Sequence, residues 1–407
     1  MATRKPRRGA SGGRSRPIPR RTNYLVVTAT GKDRAGLVAD LCAHVSALGL
    51  NIIDVEQRST HGLFMLFMVV EVVDPSTSER SARQRLQKRT KGFDVEVRVD
   101  LLPIPDFERK KNMVVFTIIG KDKIGILRAL TGCLSNFRIN IERIHHLARG
   151  DFVALEVLLD AGDLRDLTVL KDALNKVCAE LGVDAVIEPE SPFRVHRRLI
   201  VFDMDGTLIE GEMIDELARA AGVADRVAGI TRKAMAGELE FSAALRERVR
   251  LLKGLDVRVL HEVAASMQLQ PGAQELVTTL KEMGFKVALV SGGFSFFTDR
   301  LREQLGLDYT FANELLVQEG RLTGAVREPI IDAAGKGRIV EELRQKEGLR
   351  KEEVVAVGDG ANDTIMLKNA GLGVAFNAKD VLKRVADASV SKENLAGLLY
   401  CLGAGRR

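Results

Sequence analysis

The chain has 407 residues, of which 45% are hydrophobic and 29% charged, a balance that allows two to four globular domains, each with its own core. No apolar stretch reaches the length of a membrane span and the start lacks the apolar core of a signal peptide, so a soluble, intracellular, cytoplasmic protein is expected. Cys42, Cys133, Cys178 and Cys401 lie in helical patterns with no metal-binding spacing and read as reduced, packed thiols.

The formal net charge of +6 is concentrated at one end. Residues 1–22 contain Arg4, Lys5, Arg7, Arg8, Arg14, Arg16, Arg20 and Arg21 with no acid, which leaves the rest of the chain close to neutral. This stretch is rich in Gly, Ser and Pro and is expected to be a disordered, solvated leader. It has no aromatic side chains to stack on bases, so a nucleic acid partner is not expected.

A strand pattern at 24–28 leads into Gly31-Lys32-Asp33-Arg34-Ala35-Gly36 and a helix with Leu37, Leu41, Val45 and Leu48 on one face. The strand at 113–119, Gly120-Lys121-Asp122-Lys123-Ile124-Gly125 and the helical face Ile126, Leu130, Leu134 repeat it. Gly31, Gly36 and Asn51 answer to Gly120, Gly125 and Asn140 at a constant offset of 89 residues. Each copy continues into Asn-Ile and further strand pattern (64–73; 152–159), a helix (78–89; 164–181) and a closing strand (95–101; 184–188). This βαββαβ order is ferredoxin-like. With its Gly-Lys-Asp-x-x-Gly loop and Asn-Ile, each copy, over 23–102 and 112–190, resembles an ACT domain, a small regulatory module that commonly binds amino acids. The resemblance implies an effector such as L-serine near Asp33, Gly36 and Asn51, and near Asp122, Gly125 and Asn140. It also implies a homodimer.

Pro189 and Pro192 mark a boundary, after which strands at 198–202, 286–290, 354–357 and 372–376 alternate with helical patterns through 197–407. Such alternation predicts a parallel sheet covered on both faces. A wholly helical stretch at about 212–269 interrupts it and is placed to form a cap.

Asp203-Met204-Asp205-Gly206-Thr207 follows the apolar run 199–202, so two carboxylates leave a buried strand on the same side. Held this close they repel unless one is protonated or a cation lies between them, and Mg²⁺ with a phosphate answers that need. Three further strand-end segments supply matching parts. Val290-Ser291-Gly292-Gly293-Phe294 offers a hydroxyl and glycine N–H groups, Lys336 a positive charge at a helix start, and Gly358-Asp359-Gly360-Ala361-Asn362-Asp363 two more carboxylates.

In this order the four segments resemble the haloacid dehalogenase-like phosphatase superfamily, with a Rossmann-like parallel sheet and an inserted helical cap. The resemblance implies Asp203 as nucleophile, Asp205 as general acid and base, and Mg²⁺ bound by Asp203, the Asp205 carbonyl and Asp359 with Asp363 in support. Ser291, Gly292, Lys336 and Asn362 would hold the phosphate. Glu210 to Ala218, the 231–237 run with Met235, and Phe241 to Val249 resemble the phosphoserine phosphatase family in particular. That likeness implies Glu212 on the ammonium of O-phosphoserine, Arg248 on its carboxylate, and Phe241 and Met235 closing the pocket. Arg246, two positions from Arg248, points elsewhere on a helix, so one of the two serves. Two rival readings share these residues: a phosphotransferase that passes the group to another alcohol such as homoserine, and a sensor whose phosphatase domain is inactive.

Overall fold

The computed structural model describes residues 23–102 except 75 and 94, 111–148, 152–191 except 165, and 196–402 except 379 and 391–393. The basic leader and Pro192 lie outside the described residues. These residues fall into two units, one up to Lys110 and one from Lys111 onward.

The first unit is one copy of the repeat: β1 (Asn23–Lys32), α1 (Leu37–Ser46), β2 (Leu50–Thr60), β3 (Leu63–Val72), α2 (Glu79–Arg89) and β4 (Val95–Leu102). The antiparallel sheet runs β2-β3-β1-β4. Alternation along β1 buries Leu25, Val27 and Ala29 against Leu37, Leu41 and Val45 of α1 and Ala82 and Leu86 of α2. Ser78 caps α2 by accepting the Ser81 N–H.

The second unit begins with the second copy: β5 (Met113–Lys121), α3 (Ile126–Asn136), β6 (Asn140–Ala148), β7 (Phe152–Asp160), α4 (Thr168–Leu181) and β8 (Val183–Pro189). The repeated loop glycine has the same cause in both copies. A Cβ on Gly31 would lie 2.7 Å from the Val95 side chain, and one on Gly120 2.8 Å from Val183, where the last strand crosses the first.

The α/β part then runs β9 (Leu199–Phe202), α5 (Met213–Ala220), α6 (Ala224–Met235), α7 (Phe241–Leu251), α8 (Val257–Ser266), α9 (Ala273–Glu282), β10 (Lys286–Phe294), α10 (Ser295–Leu305) and β11 (Tyr309–Asn313). It continues with β12 (Leu315–Gln318), β13 (Arg321–Val326), α11 (Ala333–Lys346), β14 (Val354–Gly358), α12 (Thr364–Asn369), β15 (Leu372–Phe376), α13 (Asp380–Lys383), β16 (Ala388–Val390) and α14 (Leu398–Cys401). Six parallel strands stand in the order β11-β10-β9-β14-β15-β16. Every residue of β9 is buried, Ile200 and Phe202 with α9 and α10, Leu199 and Val201 with α11 and α12. This two-sided burial is why the run reads as continuously apolar.

Two features go beyond the sequence reading. First, the sheet continues across the boundary drawn at Pro189. Ala388 of β16 pairs with Val186 of β8, which makes one ten-stranded sheet of the catalytic strands and the second repeat. Ile119 and Val186 enter the catalytic core, Arg197 forms a buried ion pair with Glu188, and the Lys171 Nζ donates to the Ala386 carbonyl at 2.8 Å. Second, the helical cap α5–α8 is joined by the hairpin β12–β13. The hairpin turns through Glu319 and Gly320, both at positive φ, and bonds the α7–α8 connection through Gly254 N–H to Leu322 O and Val257 N–H to Gly320 O.

Candidate active site

Because β10, β9 and β14 are parallel neighbours, their C-terminal ends place Ser291, Asp203 and Asp359 along one sheet edge. The Asp203 N–H donates to Val357 O at 2.9 Å and fixes the first carboxylate beside β14. Gly206 turns the chain at φ 74, a left-handed conformation that favours glycine. Gln270 steadies this turn from outside, its Nε2 3.3 Å from Gly206 O and 3.4 Å from Ile209 O.

Lys336 enters from the first turn of α11, whose N-cap Asp332 accepts the Gly335 N–H. Its ammonium is 1% exposed and lies 2.7 Å from Asp203 Oδ1 and 2.8 Å from Asp363 Oδ1. Burial alone would lower its pKa, but the two carboxylates overcome this and raise it, so the lysine stays charged. Asp363 is fully buried, and its other oxygen accepts the N–H groups of Asp359 and Gly360. Asn362 folds over this turn, close enough that a Cβ on Gly360 would meet its Oδ1 at 2.2 Å.

Asp203, Asp359 and Asp363 each present an oxygen within 4.8 Å of the others. Burial first, and then the Asp363 charge, push Asp203 and Asp359 up to about 7, against the pull of Lys336. Three crowded carboxylates with one lysine leave negative charge unbalanced, and oxygen donors of this kind fit a hard divalent cation such as Mg²⁺. Asp205 differs in its surroundings. Its Oδ1 accepts the Met213 N–H at 2.9 Å, at the first turn of α5, while burial, Glu212 and Asp203 raise its pKa well above the usual carboxylate range. Burial and these neighbours favour its protonated form, two residues from a carboxylate paired with lysine.

Ser291 is buried and its Oγ accepts the Gly293 N–H at 2.8 Å. Phe241, the first residue of α7, reaches over this loop: a Cβ on Gly292 would stand 2.9 Å from its Cζ. Glu212, the N-cap of α5, is raised to about 7 by burial, then by Asp203 and Asp215, with Arg248 opposing. Arg248 is lowered by burial, with Glu212, Asp215 and Asp205 opposing. Arg246 instead faces outward, its Nη2 2.8 Å from Glu328. Met235 ends α6 and is 63% exposed. In the repeats, Asp33, Asn51, Asp122 and Asn140 are exposed, and Gly36 and Gly125 begin their helices at φ 91 and 98.

Asn313 carries no motif. It is 2% exposed at the end of β11, and its Nδ2 donates to Gly292 O at 2.9 Å while its Oδ1 accepts the Ile331 N–H at 2.7 Å. It thus straps the Ser291 loop to the segment that starts the Lys336 helix. Only the strand β11, which the sequence pattern does not announce, brings it there.

Residues 197–371 match the haloacid dehalogenase-like hydrolase family, and residues 23–100 and 112–188 each match the ACT domain. Fold and site together define a haloacid dehalogenase-like hydrolase carrying two ACT domains. The phosphoserine phosphatase of Archaeoglobus fulgidus is 53% identical over 341 residues, 84% of this chain and 97% of that one. That of Streptomyces coelicolor is 38% identical over 383 residues, 94% and 92% of the two chains. Among solved structures, a HAD family hydrolase of Salmonella enterica serovar Typhi matches with a TM-score of 0.64 at 31% identity, over 71% of this chain and 98% of that one. The chain belongs to the phosphoserine phosphatase family.

Proposed function

We propose that the protein hydrolyses O-phospho-L-serine to L-serine and phosphate, the last step of serine biosynthesis, in the cytoplasm. Among the described residues no helix is long and apolar enough to cross a membrane. The observation that carries the chemistry is the pairing of Asp203 with the buried Lys336, two residues from Asp205, whose carboxyl burial pushes up. Lys336 holds one Asp203 oxygen; the other attacks phosphorus, forming an acyl phosphate as the bond to the serine oxygen breaks. Asp205 gives its proton to that departing oxygen. As a carboxylate it then takes a proton from the water that attacks the acyl phosphate, releasing phosphate and restoring both side chains. Ser291, the Gly292 N–H, Asn362 and Lys336 neutralise the equatorial oxygens. When bound, a Mg²⁺ ion held by Asp203, Asp359 and the Asp205 carbonyl, with Asp363 in support, supplies further charge neutralisation at the phosphoryl oxygens. Glu212 and Arg248, opposite in charge and each felt by the other, suit the ammonium and carboxylate of one amino acid.

Phosphate release from phosphoserine, phosphothreonine and a sugar phosphate, with Asp203→Asn as blank, tests this reading. Phosphoserine should be strongly preferred and the blank silent. Equal rates would remove Glu212 and Arg248 from substrate selection, and turnover in the blank would remove the nucleophile. Phosphate release that requires homoserine would instead make the enzyme a phosphotransferase.

The ACT repeats support an amino-acid effector such as L-serine, bound near Asp33, Gly36 and Asn51 or their counterparts. Calorimetric titration of L-serine into the wild type and an Asn51→Ala, Asn140→Ala variant tests it, and absence of heat in both would end the idea. A homodimer is supported by Met65 and Phe67 of β3, which are 45% and 42% exposed on the first repeat's sheet. Light scattering at the mass of a monomer would refute it.

A further inference from the structure

On the cap, α6 and α7 border an open groove of about 640 Å³, within the size range of small-molecule sites. Four cations line it: Arg226, Arg232 and Lys233 from α6 and Arg250 from α7, against the two carboxylates Glu238 and Glu247. Among the described residues none of the four cations makes an ion pair. The helix dipole accounts for Arg232 and Lys233 in the last turn of α6, but it opposes Arg226 in the first. Half-buried Ile230 and Leu251 add an apolar floor.

We propose that this cleft binds a small anion bearing a diphosphate group. Two or more negative charges are needed to balance the net positive lining, and arginine forks on two helices suit adjacent phosphates. The cleft is separate from the catalytic site. Arg250 and Arg248 are two residues apart, about 200° around α7, so the helix turns one arginine toward the substrate side and the other toward the cleft. A diphosphate bridging α6 and α7 therefore ties together the two helices whose spacing positions Phe241 and Arg248.

Calorimetric titration of pyrophosphate into the full chain tests the proposal, in about 150 mM salt to screen diffuse attraction. The Asp203→Asn background with saturating phosphoserine keeps the catalytic site filled. One molecule should bind per chain, and Arg226→Gln with Arg250→Gln should weaken it about tenfold or more. In the chain with Asp203 intact, the same two substitutions should leave phosphoserine turnover without pyrophosphate unchanged, which shows that the cap is folded. A parallel titration of ADP separates the sources: tighter binding than pyrophosphate assigns the floor to a nucleotide base, and equal or weaker binding assigns free diphosphate. No binding in the parent, or equal binding in parent and variant, overturns the site.

Discussion

At the scale of single residues, the two arginines of α7 show how burial assigns roles that charge alone cannot. Arg246 is exposed and engaged with Glu328, an ion pair of the kind that contributes about 0–1 kcal/mol. Arg248 is half-buried and feels the charge of Glu212. Replacing Arg248 with Lys should raise KM for phosphoserine by about ten- to a hundredfold, because a point charge cannot reproduce a bidentate fork. Arg246→Lys should leave KM within about twofold. Steady-state kinetics of the two variants decide it, and equal effects would disprove the division. Asn313 makes a second case. Asn313→Ala leaves the Gly292 carbonyl and the Ile331 N–H without their partner, a loss of about 1–3 kcal/mol in a melting measurement. Its kcat should fall more than its KM rises, since the strap aligns Ser291 with Lys336. Asn313→Asp keeps the acceptor but cannot donate to Gly292 O, so it should not rescue kcat. The carboxylates of DMDGT and GDGAND were legible in the sequence because each follows a buried strand directly. Asn313 was not, because its meaning depends on two loops 21 and 18 residues away in the chain.

At the scale of elements, Phe241 of the cap stands directly over Gly292 of the core. A methyl at 292 would displace the ring. Gly292→Ala should therefore lower kcat/KM by about ten- to a hundredfold, an effect of about 1.4–2.8 kcal/mol. Adding Phe241→Leu should recover part of the loss, because the two changes share one contact and cannot be additive. A double-mutant cycle on kcat/KM measures this, and strict additivity would show that the aromatic ring is not what the added methyl displaces. The cap helices themselves were visible as an interruption of the βα alternation. The hairpin that completes the cap was not, since it follows the cap by some fifty residues and its strands are only four and six residues long.

At the scale of the molecule, the two repeats have parted in role although their patterns match. On β3 of the first repeat, Met65 and Phe67 are exposed. Their counterparts on β7 of the second, Ala154 and Glu156, are buried, and the neighbouring Glu188 is paired with Arg197. The second repeat is thus part of the catalytic body. Deleting residues 1–110 should leave a folded phosphatase with an unfolding temperature close to that of residues 111–407 in the full chain. Deleting residues 1–196 should lower the unfolding temperature markedly, since it exposes the β16 edge and strands Arg197's partner site. Glu188→Ala should cost about 3–5 kcal/mol in denaturant unfolding, as expected when one member of a buried pair is removed. If both truncations melt alike, the joint carries no stability.

The sequence by itself determined the reaction class and the repeat, because both rest on short-range pattern. A strand delivers its terminal carboxylates wherever it is buried, and alternation with a fixed glycine loop copies itself at a constant offset. The tertiary structure alone decided which charges are buried, what Asn313 holds together, and that the second repeat joins the catalytic sheet. Those outcomes depend on desolvation and on contacts between segments distant in the chain, and neither is written in local periodicity.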